Sequence, residues 1–482
     1  MALLLLILTP LAAAVAALTV KRKVWPLELT ATIAASAEIF CILAAAIELF
    51  DGGRCAYSSY FSIDALGMIV ILTVGLVGFA ASLYSIGYLR QEVAKQIIGF
   101  HRVKQYFVLF HLFLMAMFFA VITVNPIMMW IAIEATTLAT ALLISFYNKP
   151  TALEAAWKYL IINSIGLLLG FFGTLLFFTF AGNAAANTFI NWQTLLENAF
   201  SLNPLIVKIA FIFVLIGYGT KAGLAPMHTW LPDAHSKAPS PISAMLSGAL
   251  LNVALLAILK FKLITDAALG PVFSQNILIF FGIFSIAIPA FIIIVQKNYK
   301  RLFAYSSIEH MGIIALGFGF GGLGSFAALL HMIYHSLAKS LLFFSAGNVL
   351  LKYGSTKIEN IKGVLSAMPF TGTILLLGFL AITGVPPFGI FITEVYIMTA
   401  GIGSHPVTVG LALSLLALIF YGFLKYITAM VFSNASSPVP QGEANYLTIA
   451  PPALLLVVLA GGGFFLPVPV RMWIDAAAAL IR

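Results

Sequence analysis

Charge is what this sequence has least of. Only 9% of its 482 residues are Asp, Glu, Lys or Arg, against about 25% in a soluble domain. By contrast 62% are apolar, and the mean hydropathy is +1.08. That composition places the chain in lipid. Cysteine is nearly absent: Cys41 lies in an apolar run and Cys55 in a loop. No CxxC pair or Cys/His cluster supports an iron–sulfur centre or a structural zinc site, so no cofactor is expected on this chain. A nucleophile triad and a phosphate loop are missing too. The glycines between Gly317 and Gly324 do not follow a strand as GxGxxG and read as a helix end and turn. The net charge of +9 is small for the length, and the basic residues fall in short loops between apolar runs. Membrane topology accounts for that placement better than nucleic-acid binding does.

What is present is a succession of runs about 20 residues long, the length that crosses a bilayer as a helix. They fall at 2–20, 27–49, 62–89, 107–124, 126–147, 152–181, 204–225, 240–264, 272–296, 304–320, 325–351, 367–400, 406–432 and 446–467. The fold class expected is an all-α polytopic membrane protein with about fourteen transmembrane helices. The first run is followed by Lys21-Arg22-Lys23, whereas a signal peptide carries its charge ahead of the apolar stretch, so it reads as a first membrane helix. With the N-terminus outside, fifteen Lys and Arg fall in inside loops and six in outside segments. That bias puts both termini on the outer side. The short tail 470–482 is amphipathic and suits an interfacial position.

One stretch organises the rest: Gly217-Tyr-Gly-Thr-Lys-Ala-Gly-Leu-Ala-Pro-Met-His-Thr-Trp-Leu-Pro-Asp-Ala-His-Ser-Lys-Ala-Pro-Ser240. Lys221 sits deep in apolar sequence, and a lysine at the centre of a bilayer helix costs about 2.5–3.5 kcal/mol on insertion scales. Pro226 lacks a backbone donor and must break the helix five residues later. Broken backbone at membrane depth is tolerated only where protein buries it or water lines it. Pro386 and Pro387, followed by Glu394, repeat the arrangement five runs later. Two interrupted helices, each beside an ionisable residue, point to inverted repeats. We expect units of helices 4–8 (105–265) and 9–13 (270–432), preceded by three helices (1–104) and followed by helix 14 and the tail (433–482).

Ionisable residues inside the runs are candidates for function, because such residues are rare there. Glu134, at the middle of the fifth run, is the natural partner of Lys221, and pairing would make the proton affinity of each depend on the other. His331, His335 and Lys339 stand at i, i+4 and i+8, on one helix face. His310 precedes them and Glu394 ends the series, giving the order acid, base, base, acid. His331 and His335 form HxxxH, but without the glutamate of HExxH or a third ligand, so no metal site is expected. His228, Asp233 and His235 follow the first break and suit proton uptake near the inside surface. Lys158, near a helix end, suits either that role or snorkelling to the interface. Lys425 is a further intramembrane lysine.

The run from Lys221 to His235 resembles the signature of the antiporter-like subunits of respiratory complex I, of multisubunit sodium/proton antiporters and of membrane-bound group 4 nickel–iron hydrogenases. The similarity extends over roughly residues 60–430. It implies fourteen helices with two inverted five-helix units, helices seven and twelve being broken. It also implies that Glu134 and Lys221 are the charged pair of helices five and seven. His335 and Lys339 become the polar residues of helix eleven, and Glu394 the terminal charge of helix twelve. Many members carry lysine in a Leu-Leu-Lys motif on helix eight, where this chain has Leu250-Leu251-Asn252. Asn252 does not titrate but orders water, so the central relay would run differently here, with His310 a candidate. With the Ser-Ser-Ile-Glu-His-Met-Gly segment it looks most like the F-type subunit of hydrogenase-4 and formate hydrogenlyase complexes.

The function expected is proton translocation in the inner-membrane arm of a redox complex, of hydrogenase or NADH–quinone oxidoreductase type. Partners would be other membrane-arm subunits and a peripheral nickel–iron, iron–sulfur or quinone-reducing arm that does the electron chemistry. A redox-independent sodium/proton antiporter subunit and a non-conducting scaffold are the alternatives.

Overall fold

The computed structural model describes residues 1–53, 55–178, 190–434, 440–443 and 445–481. Arg54 and Arg482, two of the six expected outside charges, and the end of the sixth run (179–181) lie outside the described residues. The helices in chain order are α1 (Ala2–Thr19), α2 (Trp25–Gly52), α3 (Ala65–Ala94), α4 (Phe100–Ile122), α5 (Pro126–Ile144), α6 (Pro150–Phe178), α7 (Trp192–Glu197), α8 (Pro204–Ala222), α9 (Trp230–Lys237) and α10 (Ser240–Met245). They continue as α11 (Leu251–Leu269), α12 (Val272–Ile293), α13 (Tyr299–Phe320), α14 (Leu323–Tyr353), α15 (Val364–Ala367), α16 (Pro369–Ile382), α17 (Gly389–Ile402), α18 (Pro406–Phe432), α19 (Ala450–Gly462) and α20 (Val468–Leu480). Between α2 and α3 a two-stranded antiparallel hairpin, β1 (Cys55–Tyr57) and β2 (Phe61–Ile63), was not expected from the sequence.

Among the described residues, eleven helices are long and apolar enough to cross a membrane. Counting fourteen requires three more: α13, made less apolar by its Tyr305-Ser-Ser-Ile-Glu-His310 stretch, the broken pair α16–α17, and α19. At 13 residues α19 spans only about 20 Å, short of the roughly 30 Å hydrocarbon core.

Helix starts are written in the sequence as Asn or Asp, often followed by Pro. Asn125 caps α5 through the Ile127 and Met128 amides, and Asn203 caps α8 through the Leu205 amide. Asn298 does the same for α13, and Asp64 for α3. Each side-chain oxygen satisfies donors that a first turn leaves free. In α5 and α8 a proline at the first position gives up an amide that would have no partner anyway.

Lipid offers no hydrophobic drive for helix association, so close packing of small residues takes its place. Helix α6 lies against α8 along Gly166, Gly170 and Gly173. A side chain at Gly217 would run into the backbone of Gly170, which fixes the approach of the two helices. At the centre stands the continuous helix formed by α10, a π-helical turn at Leu246–Leu250, and α11. Its most apolar stretch is wholly buried, against α3, α8 and α14. The amphipathic tail forms α20, which turns Trp473, Ile474 and Ala477 onto α3 and α14.

Both breaks fall where the prolines predict. Helix α8 ends at Ala222 with Gly223 in the left-handed region (φ 79°), and the chain re-enters helix at Trp230. Backbone groups freed there find partners: the Ala225 amide donates to Ser285 Oγ at 2.9 Å, and Trp230 Nε1 to the Thr220 carbonyl at 2.8 Å. Helix α16 ends at Ile382, Gly384 has φ 65°, and α17 begins at Gly389. Pro226, Pro386 and Pro387 are exposed on the single chain.

Candidate functional site

The first charged group is built by α5, α6 and α8. Lys221 is fully buried in the last turn of α8. Its Nζ donates to Tyr159 Oη at 2.6 Å and to Thr137 Oγ1 at 2.8 Å. Glu134 is half-buried, one turn before Thr137 on α5. It accepts from Ser164 at 2.7 Å and from Thr137 at 3.3 Å. The expected pair is thus joined through a hydroxyl: Thr137 Oγ1 receives from the ammonium and donates to the carboxylate. Tyr159 extends the group to Thr140 at 2.5 Å.

The second group lies on α13, α14 and α17. His331, His335 and Lys339 share the buried face of α14. His310 Nδ1 and His331 Nε2 are 2.9 Å apart, and His331 Nδ1 meets Thr393 Oγ1 at 2.8 Å. The His335 ring lies 5.5 Å from that of His310, and neither of its nitrogens has a hydrogen-bond partner among the described residues. Lys339 turns aside to the Phe303 carbonyl (2.9 Å) and Ser306 Oγ (2.6 Å), with buried Glu309 close by. Glu394 is half-buried at the α16–α17 break, its carboxylate within 4.8 Å of ligand nitrogens of His310 and His331. The HxxxH spacing offered no third metal ligand. The fold supplies one by bringing α13 and α17 to His331, while His335 faces elsewhere.

Between the two groups lies the π-helical turn. Asn252 is fully buried, and its Nδ2 donates to Ser336 Oγ at 2.8 Å and to the Met332 carbonyl at 3.3 Å, one turn from His335. Ser247 and Ser307 meet at 2.7 Å. A π turn widens the ladder locally and is frequent at functional positions.

The remaining expected residues are scattered. His235 is not near a surface: it is fully buried and stacked on Phe343 at 4.8 Å. His228 is also buried. Asp233 pairs with Arg301 and, at 3.5 Å, with Lys158. Lys158 is half-exposed and bonds Glu154 at 2.6 Å, the snorkelled arrangement. Lys425 lies on the exposed face of α18 with its Nζ 5.2 Å from the Tyr426 ring.

Sequence reasoning missed several buried charges. Lys300 stands between two apolar runs and reads as one of the fifteen inside-loop charges, yet it is buried in the first turn of α13, its Nζ on the Ala238 carbonyl at 2.7 Å. Glu92, also buried, ends α3 and accepts from Tyr147 at 2.5 Å. Glu38 is buried in α2. Lys262, near the end of its run, reads as one of the six outside charges but is fully buried and paired with Asp266. On the same side Asp64 pairs with Lys260 at a cavity of about 1030 Å³. Most of these stand near ends of apolar runs, where sequence alone assigns them to loops.

Among the described residues, none of Lys221, Lys300 and Lys339 touches a carboxylate; hydroxyl and carbonyl oxygens hold each one. A charge so placed moves with less reorganisation than one locked in a tight buried pair, whose separation costs several kcal/mol, about 3–5.

Residues 123–420 match the family described as NADH:quinone oxidoreductase/Mrp antiporter, transmembrane. The chain is 38% identical over 436 residues to the hydrogenase-4 component F homolog of Methylacidiphilum infernorum, covering 88% of this chain and 89% of that one. Its fold is similar to a chain of the archaeal membrane-bound sulfane sulfur reductase, a respiratory membrane complex, with TM-score 0.87 and 24% identity over 99% of this chain and 97% of that one. It is similar also to a chain of the Mrp complex of a Dietzia species, with TM-score 0.85 and 18% identity over 100% and 97%. The chain belongs to the NADH:quinone oxidoreductase/Mrp antiporter family of transmembrane subunits.

Proposed function

We propose that the chain moves protons across the cell's inner membrane as an antiporter-like subunit of an energy-converting redox complex, of hydrogenase-4 type. The observation that carries this reading is the pair of buried polar groups, Glu134–Thr137–Lys221 and His335–His310–His331–Glu394, with Asn252 and Ser336 between them. A step from Lys221 to Asn252 needs water. From Asn252 the path follows Ser336 to His335 and the paired imidazoles. Lys339 with Glu309 forms a side branch that stores charge near the histidines rather than a link in the row.

Glu134 and Glu394 are both half-buried, on α5 and α17. In this reading each meets a neighbouring membrane subunit there, and a charge arriving beside Glu134 loosens its hold on Lys221 and sends a proton toward Glu394. A peripheral arm carries the electron chemistry, no redox cofactor sits on this chain, and both termini face the outer side. Replacing Lys221 or Glu134 by Ala tests the mechanism in proteoliposomes of the intact complex. Proton movement is abolished while the complex still assembles. Undiminished pumping in both variants ends the proposal.

A further inference from the structure

His310, His331 and Glu394 come from three helices, and one ligand atom of each lies within 4.8 Å of the other two. We propose that this cluster binds a borderline-soft divalent cation, best matched by zinc, and that the bound ion closes the proton row at its Glu394 end.

The donor set carries the choice of ion. Two imidazoles and one carboxylate are the ligands of zinc sites that keep an open fourth position, whereas calcium and magnesium call for oxygen donors throughout. Tetrahedral bonds of about 2.0–2.1 Å hold ligand atoms roughly 3.4 Å apart. The imidazole nitrogens, now 2.9 Å apart and sharing one proton, must separate by a few tenths of an ångström, and the carboxylate must close in by more.

Two further observations favour occupancy. His310 Nε2 is buried without a hydrogen-bond partner among the described residues, as are both nitrogens of His335. His310 thus keeps one ring nitrogen uncommitted while the other meets His331. Gly384 leaves the space beside Glu394 free: a Cβ there would fall on the carboxylate, and its φ of 65° suits glycine. Glu394 and nearby Glu309 offset the added charge, while Lys339 opposes it.

The site uses residues of the proposed proton row, but its test does not depend on pumping. The purified intact complex is equilibrated with buffered micromolar zinc, bound zinc is counted by mass spectrometry, and its ligands are read by X-ray absorption at the zinc edge. The wild type takes up one saturable equivalent with imidazole scattering. His331→Asn and Glu394→Gln bind roughly tenfold or more weakly, and His331→Cys, which supplies a thiolate, keeps the equivalent. Equal zinc content in the wild type and in both weakened variants overturns the proposal, whatever happens to proton transport. If the variants do not assemble, the wild type decides alone: absence of a saturable equivalent, or one without imidazole scattering, also overturns it.

Discussion

Lys221 reaches Glu134 through one hydroxyl: its Nζ donates to Thr137 Oγ1 at 2.8 Å, and Thr137 Oγ1 donates on to Glu134 at 3.3 Å. Thr137→Val keeps the shape and removes the bridge. A hydrogen bond to a charged group is worth about 1.5–3 kcal/mol, so proton movement should fall roughly 10- to 100-fold. Thr137→Ser should restore most of it. Proton uptake by proteoliposomes of the intact complex measures both, and equal rates for Val and Ser would remove Thr137 from the relay.

Asn252 stands where many relatives were expected to carry lysine, and it is held by Ser336 and the Met332 carbonyl. Asn252→Ala should reduce pumping more than tenfold while the complex still assembles, because the row then lacks a polar group beside Ser336. A thermal shift with normal pumping would mark Asn252 as structural only.

Gly384→Ala places a Cβ on the Glu394 carboxylate and forces a positive φ on a residue with a side chain. The backbone penalty alone is about 1 kcal/mol. The complex should melt several degrees lower and pump more slowly, whereas Gly403→Ala, with open space around it, should do neither. Comparing the two melting curves checks this.

Lys300 and Glu92 are buried at the start of α13 and the end of α3, and each lies within electrostatic reach of the other. Lys300→Met leaves Glu92 without its cation. With the proposed topology, proton uptake from the inside should slow by about tenfold, with the larger loss when the inside pH is high and protons are scarce. Stopped-flow uptake at two inside pH values tests this.

Asp64 gives a pH prediction on the opposite side. Burial pushes its carboxyl up, but Lys260 and the Gly67 amide outweigh that and hold it below the usual carboxylate range. A depressed folded value contributes stability above the unfolded value, about 3.9, and loses it as pH falls through the folded value. The melting temperature of the wild type should therefore drop below about pH 4, and Asp64→Asn should flatten that part of the profile.

The legible parts of this protein were those with a local signature. Pro226 and Pro386-Pro387 marked the two breaks because a missing amide acts on its own turn. Asn125 and Asn203 marked helix starts for the same reason. Glu134, Lys221 and the His331–Lys339 face stood out because charge is conspicuous in an apolar run. What stayed hidden depends on neighbours far along the chain. Thr137 looked like any helical threonine until α8 brought Lys221 to it. Lys300 and Glu92 look like loop charges until the Ala238 carbonyl, just after α9, receives one and Tyr147, just after α5, donates to the other. The His310–His331–Glu394 cluster joins three helices whose relative rotation no spacing rule gives, and a π turn leaves no mark in hydropathy.

Glu134 and Glu394, left partly open on α5 and α17, set the size of the working unit. An ionised carboxylate at the flank of a bundle is tolerable against a companion subunit and expensive against acyl tails. Extracted alone, this chain would present two such groups to hydrocarbon. Coupled transport is then a property of neighbours in register, each lending its flank to the next.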